Sequence, residues 1–547
     1  RVMSKSKKKL TRREFMNTSF KVGAGAFVGF HVIGLSKGPS SVFGSTSKAG
    51  LAAGMIGGPT GFEGCERYQY GPDEAPGRAI EGLRKLKAAG KAPKEMVMAL
   101  PPGCVGHWET GFPKGAKPAM EVFLEETGIK ITPVDLVATE MSTKVIQDYQ
   151  TGARAYDVYS LWGAEGPDLV MAGALMNVDD LVKQYKPDWN DSKTGYVGGD
   201  AMLTATSKVD GSFYFINMDG DEQVWVYRKD LFEDPKERKD FKAKYGWDLQ
   251  FPDTWDQLDQ VADFFHRPDK GLLGCTDLRN QYWGFTNWYQ RYNSMGDPAR
   301  YFFDENTAKP LINSPEGIQA TKEHIATMRY HSKDALSWGW PQQYANMAAG
   351  GTAVTCAYPN MPKFLDDPNN KDSKIVGKIR SAISPGRMTN GKLIRRSTWW
   401  PNVAHAVPSK GKYAEAAYLL LQWCSSAKIS TWLVANPGGY YDPWRKMHFQ
   451  DPILSKSYHE WHVPVMVGTL QRACPPIMIP GVLEYQTVLD TNLQEALTNQ
   501  KSPEQAVADA EKGWEKITSR NGRDRTIKAI KAMRPAWPKA IYDKPNI

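Results

Sequence analysis

Between residues 95 and 160 short apolar runs alternate with helical stretches, and this alternation restricts the fold more than any other feature. Residues 96–100 form an apolar run of strand length. Residues 118–127 read as a helix, with Pro118 in its first turn and Gly128 as its stop signal. Residues 129–134 give the next strand, a second helix runs from about Ser142 to Gly152, and 156–160 is a third strand. Strands linked by helices at this spacing imply a parallel sheet with right-handed crossovers, hence an α/β protein. Residues 213–217 and 224–227 read as further strands.

The helices downstream announce themselves by their caps. Thr254 and Gln257 have capping-box spacing, and Trp255, Leu258, Val261, Ala262 and Phe265 repeat at helical intervals. Ser502, Pro503 and Gln505 start another helix with Val507, Ala510, Trp514 and Ile517 as its apolar stripe. Helices are also expected at 79–89, 315–330 and 412–425. The length of 547 residues allows two to four compact units, and 41% apolar with 24% charged residues is ordinary for a folded chain.

The net charge of +9 does not indicate nucleic acid. Residues 1–21 hold eight basic residues against Glu14 alone, and Lys37 and Lys48 follow, so residues 51–547 are close to neutral. The basic start contains Arg12-Arg13-Glu14-Phe15 and is followed by an apolar run over 22–35. That order reads as a secretory signal of twin-arginine type. The run is too short for a membrane span, which needs about 20 residues. Cleavage or retention as an anchor stays open. Six cysteines at 65, 104, 275, 356, 424 and 474 lie at least 39 residues apart, so no metal or redox Cys pair is present; disulfides and buried thiols both remain open.

Several segments, in order, resemble the extracellular solute-binding proteins of family 1, which include the maltose-binding protein. They are 155–159 (AYDVY), 169–181 (LVMAGALMNVDDL), 213–232 (FYFINMDGDEQVWVYRKDLF), 252–258 (PDTWDQL), 311–317 (LINSPEG) and 344–353 (YANMAAGGTA). The match covers roughly 95–520; the chain is longer than typical members, and its first ~90 residues have no placed counterpart. The resemblance implies a periplasmic-binding-protein-like type II fold, two α/β lobes joined by crossing hinge strands, with a ligand held between them. It implies lobe one at 93–215 and 398–437 and lobe two at 216–397 and 438–535. Residues 1–50 are then leader, 51–92 an N-terminal extension and 536–547 a tail. It further implies a periplasmic monomer that hands a sugar or polyol to an ABC permease in the inner membrane, by hinge closure, without cofactor, metal or chemistry on the solute.

A sugar site needs groups that hydrogen-bond hydroxyls and aromatic faces that cover C–H surfaces. Asp219 and Asp221 flank Gly220 at the first crossing, and position 221 matches the family's ligand-binding acid; the competing reading is a solvated turn. Trp283, Phe285 and Trp288 lie where the family supplies stacking rings. Trp399 and Trp400 stand at the second crossing, and Tyr440, Tyr441 and Trp444 follow Gly438-Gly439 at the re-entry, each also readable as core. Trp162 lies at a strand's C-terminal end, where α/β sheets bind ligands. Trp338 and Trp340 are weaker candidates. His459 and His462 form a His-x-x-His pair that lacks further ligands. No nucleophile elbow, zinc-protease helix or phosphate loop is present, so a periplasmic enzyme is the lesser alternative. Acids with aromatics also suit a quaternary-amine osmolyte.

Overall fold

A computed structural model describes residues 50–137, 140–296, 300–398, 403–538 and 541–543. The basic leader, read above as a twin-arginine signal, and Trp399 and Trp400 therefore lie outside the described residues, as does part of the expected tail.

Two sheets organise the described chain. In the first lobe the strand order is Lys130–Asp135, Glu95–Leu100, Val158–Trp162, Val403–Ala406, Phe215–Asn217. The first three strands are parallel, with Met98 opposite Val158, as the alternating pattern requires. Val403–Ala406 is antiparallel to both its neighbours and closes the gap between Val158–Trp162 and Phe215–Asn217. The helix Ala119–Thr127 ends at Gly128 (φ 66°), and Met141–Thr151 ends at Gly152 (φ 66°), both in the left-handed region that stops a helix.

The second sheet has the order Ile379–Ala382, Val224–Arg228, Thr352–Ala357, Leu273–Thr276. The helix Trp255–Phe265 carries the expected Thr254–Gln257 capping box, and all five stripe residues are buried. The helix Pro503–Asn521 does the same, burying Val507, Ala510, Trp514 and Ile517. Each such fully buried large side chain contributes about 1.5–3 kcal/mol.

Residues 51–92 are not an appendage. Phe62, Tyr68, Tyr70, Ile80 and Leu83 share one core with the first lobe's strands, and the helix Ala75–Ala88 packs on Ala414–Ser425. Trp423 Nε1 donates to Tyr70 Oη at 2.7 Å across that contact. The segment reads as an extension in sequence because its glycines interrupt the spacing of its apolar residues. The re-entry also differs from expectation: Tyr441, Trp444 and Tyr458 sit in the first lobe's core, although they lie beyond residue 438. The same stretch also touches the second lobe, where Asn360 and Lys363 donate to Asp442 and to Gly439 O, and further along the chain His462 Nδ1 lies 2.6 Å from Ser381 Oγ and Nε2 lies 3.0 Å from Pro359 O. All six cysteines are buried thiols, and none is paired in a disulfide.

Candidate functional site

The site is built from strand ends. In the first sheet Trp162 is paired with Val403, and Met218 N–H donates to Val403 O at 2.8 Å. Trp162 and Asp219 therefore stand at the same edge, two strands or roughly 10 Å apart. The C-terminal ends of Thr352–Ala357 and Ile379–Ala382 pair with the start of Val224–Arg228. They face the crossing at 218–223. Ligands in open α/β sheets collect at such carboxyl ends.

Buried acids fill that crossing. Asp219, Asp221 and Asp442 each offer a carboxylate oxygen, and these lie within 4.8 Å of one another. Asp219 Oδ1 accepts the backbone N–H of Gly220 at 2.8 Å and of Asp442 at 2.6 Å. Asp442 accepts from Tyr458 Oη at 2.9 Å and Asn360 Nδ2 at 2.8 Å, and it hydrogen-bonds Asp221. Lys363 Nζ donates to Gly439 O at 2.8 Å and Tyr458 Oη at 3.1 Å. Burial pushes the Asp442 carboxyl up to about 6 and the Lys363 ammonium down to about 8. Burial, reinforced by Asp442, also raises Asp219 and Glu222 well above the carboxylate range. The Asp219 oxygens do cap backbone amides, as a turn acid would, but in a buried place rather than a solvated one.

Two close approaches shape the walls. A Cβ on Gly220 would overlap the Pro443 carbonyl, so glycine lets the crossing lie against the re-entry loop. Gly103 has φ +88°, and a Cβ there would enter the Tyr440 ring. His107 anchors the same loop: its Nδ1 lies 2.8 Å from Leu433 O, and its Nε2 accepts Tyr441 N–H at 2.7 Å. That pattern fixes the neutral ring with its proton on Nδ1, and burial lowers its pKa in agreement.

The aromatic candidates separate into two groups. Trp162 meets Trp283 edge to face, with centroids 5.2 Å apart, so one ring from each lobe forms a corner. Tyr440 stands between Trp340 and Phe364 at 5.2 and 4.7 Å. The others are packing residues. Trp288 is fully buried, stacks on Tyr292 and donates Nε1 to Thr321 Oγ1 at 2.9 Å. Phe285 packs on Tyr289 in the same core. Tyr441 stacks on His107 at 4.2 Å, and Trp444 packs against His448 and Tyr196. His459 stacks on Trp461, its Nε2 3.1 Å from Pro362 O; with both His462 nitrogens engaged, the pair does not converge on an ion.

Glu222, Asn360, Lys363 and Glu165 were not legible as site residues. Asn360 and Lys363 follow the end of Thr352–Ala357, and that position is the one signal that marks them. Glu165 accepts Tyr282 Oη at 2.7 Å from the other lobe. Tyr282 itself has φ 83°, strained for a bulky residue, and its N–H donates to Asp490 Oδ2.

Asp490 yields a pH prediction. Burial pushes its carboxyl up to about 6. The unfolded chain titrates near 3.9. Because the folded value is raised, its favourable contribution is complete below about pH 4 and is lost as pH rises through 6. Asp490→Asn keeps an acceptor for Tyr282 and removes the charge. We expect the variant to exceed the wild type by about 3 kcal/mol at pH 7.5 and to match it near pH 4. Urea melts at both values check this; a gap independent of pH would show that titration is not the cause.

Two α/β lobes, with acids and aromatic rings gathered where the chain passes between them, define a binding protein of the periplasmic type II class. The chain belongs to the bacterial extracellular solute-binding proteins, whose sequence profile matches residues 108–430. That family supplies substrate-binding components of ABC transporters rather than enzymes. A probable amino-acid ABC transporter periplasmic-binding protein of Sinorhizobium fredii is 23% identical over 73% of this chain and 85% of its own. Among solved structures, a solute-binding protein of Agrobacterium radiobacter in complex with ribitol superposes with a TM-score of 0.63 at 21% identity, over 77% of this chain and 98% of its own. One from Agrobacterium vitis with bound D-mannitol gives 0.60 at 21% over 78% and 99%. Maltose-bound MalE3 of T. maritima gives 0.61 at 20% over 77% and 99%.

Proposed function

We propose that this chain captures a polyol or small carbohydrate between its lobes and presents it to an ABC permease, after export to the periplasm by the twin-arginine route. One observation carries the reading: Trp162 and Trp283, one from each lobe, form a corner at the sheet edge that also holds Asp219 and Asp221. Rings of this kind cover C–H faces, and the acids accept hydroxyl protons. Trp162 Nε1 is buried and has no hydrogen-bond partner among the described residues, so it can donate to a ligand hydroxyl. The ligands of the structural neighbours, ribitol, D-mannitol and maltose, agree with this chemistry.

We assign ligand contact to Trp162, Trp283, Asp219, Asp221 and Tyr440. The lobes close over the solute as one monomer and release it at the permease. A thermal-shift screen of polyols, sugars, betaines and amino acids tests the class, since a tight ligand raises the melting temperature by mass action. A polyol or sugar is expected to be the hit, and Trp283→Ala is expected to weaken it at least about tenfold. A screen in which only amino acids or betaines shift the transition overturns the carbohydrate reading.

A further inference from the structure

Gln223 stands where the chain has just crossed into the second lobe, directly before the strand Val224–Arg228. It is buried, and all four of its hydrogen-bonding groups are engaged. Its backbone N–H donates to Thr398 O at 2.9 Å, and its carbonyl accepts Ser397 Oγ at 2.5 Å, so the first crossing is tied to the second. Its side chain reaches the other way, to the helix Phe285–Asn293. There Oε1 accepts Gln290 Nε2 at 2.5 Å, and Nε2 donates to Thr286 Oγ1 at 2.9 Å. The Thr286 hydroxyl in turn donates to Trp283 O at 2.8 Å. Thr398 Oγ1 also donates to Thr286 O at 3.3 Å, so both crossings rest on this one residue.

The direction of this chain is forced. Trp225 Nε1 can only donate, and it meets Gln290 Oε1 at 3.3 Å. Gln290 Nε2 therefore points at Gln223 Oε1, which leaves Gln223 Nε2 to face Thr286. A threonine hydroxyl bonded to the carbonyl three residues back is common in helices. What sets Thr286 apart is the donor behind it, an amide carried by the hinge. The carbonyl it holds belongs to a ring-bearing residue in a strained place, since Trp283 follows Tyr282 with its φ of 83°. From these bonds we infer that Gln223 and Thr286 are positioning residues for solute capture, a relay that ties the hinge crossings to the ring of Trp283. When closure turns the crossings, Gln223 moves with them, and the relay passes that movement to the ring. Bonds aligned head to tail polarise one another, which stiffens the link. The inference rests on the assignment of Trp283 to the solute site.

The test measures dissociation constants for ribitol, D-mannitol and maltose by calorimetry. Gln223→Met removes the amide, and Gln290 Nε2 keeps Asn287 Oδ1 at 3.1 Å as an acceptor. Thr286→Val removes the hydroxyl. Each is expected to weaken the bound solute about fivefold, and Thr286→Ser to restore affinity to within about twofold. If Gln223→Met does not fold, the two Thr286 variants decide. In a Trp283→Ala background, Gln223→Met is expected to weaken binding by less than about twofold, with the same shift in urea midpoint as in the wild type. Equal weakening in both backgrounds, or no rescue by serine, overturns the relay and leaves the solute reading intact. Should none of the three solutes bind, or Trp283→Ala leave binding unchanged, the solute assignment fails by itself. The relay is then read without solute by fluorine NMR of 5-fluorotryptophan protein, with the Trp283 signal assigned through Trp283→Phe. Gln223→Met should shift that signal, and should shift it no further in Thr286→Val. A Trp283 signal unmoved by Gln223→Met overturns the relay.

Discussion

Arg445→Ala is expected to lower the unfolding free energy by about 3–5 kcal/mol, the range for stripping one partner from a buried ionic network. The Arg445 side chain is fully buried. Its Nη1 donates to Ser425 O at 2.6 Å, Nε to Thr194 O at 3.0 Å, and Nη2 to both Asp188 O at 2.8 Å and Asp188 Oδ1 at 2.9 Å. Three chain segments thus converge on one guanidinium: the loop 188–194, the C-terminal end of Ala414–Ser425, and the re-entry that carries Asp442. Truncation orphans three carbonyls and leaves Asp188 without its counter-ion. Arg445→Lys keeps the charge but not the planar fork, so we expect it to recover less than half of the loss. Chemical denaturation of the three proteins measures this. A loss under about 1 kcal/mol for the alanine variant would show that water replaces the network. In the folded lysine variant, solute affinity should also fall, because the same residue sets the height of the loop holding Tyr440 and Asp442.

Local chemistry made the helices and the first sheet legible. Caps, stop glycines and apolar stripes act over a few residues, and the stripe of Trp255–Phe265 is buried as its spacing dictates. Asp219 and Asp221 were legible because two acids beside a glycine are adjacent in sequence. Their partners were not: Asp442 is 223 residues from Asp219, and Asn360 is 82 from Asp442. Such pairings are set by the crossing topology, which leaves no local mark. The aromatic cluster shows another limit. Every residue of the helix Phe285–Asn293 is buried, so no polar face distinguishes core rings such as Trp288 from the ring at its entrance, Trp283. The strand Val403–Ala406 was missed because four residues, His405 among them, carry little pattern, yet it sets Trp162 and Asp219 two strands apart.

Removing two of the hydrogen-bonded bridges between the lobes is expected to shift the protein toward an open form by about 10- to 100-fold, the equivalent of 1.5–3 kcal/mol for hydrogen bonds to charged groups. Two bridges are involved. Asp168, beside the first sheet, accepts the N–H of Gly481 at 2.6 Å and of Leu483 at 3.2 Å, at the start of the second-lobe helix Val482–Leu497. A carboxylate there satisfies orphan amides and meets the positive end of the helix dipole. Glu165 holds Tyr282 Oη at 2.7 Å three residues earlier. Neither bond can survive separation of the lobes, whereas the covalent crossings can. The double variant Asp168→Ala, Tyr282→Phe should therefore have a larger radius of gyration by small-angle scattering in the absence of solute. Its solute dissociation constant should rise by a similar factor, with the change in the off-rate, because closure follows capture. Tyr282→Phe leaves the ring packed on Trp283, so stacking is retained and the effect reports the hydroxyl alone. Unchanged scattering with unchanged affinity would mean that both bonds form equally in open and closed states. The hinge would then have to be set by the acids of the crossing instead.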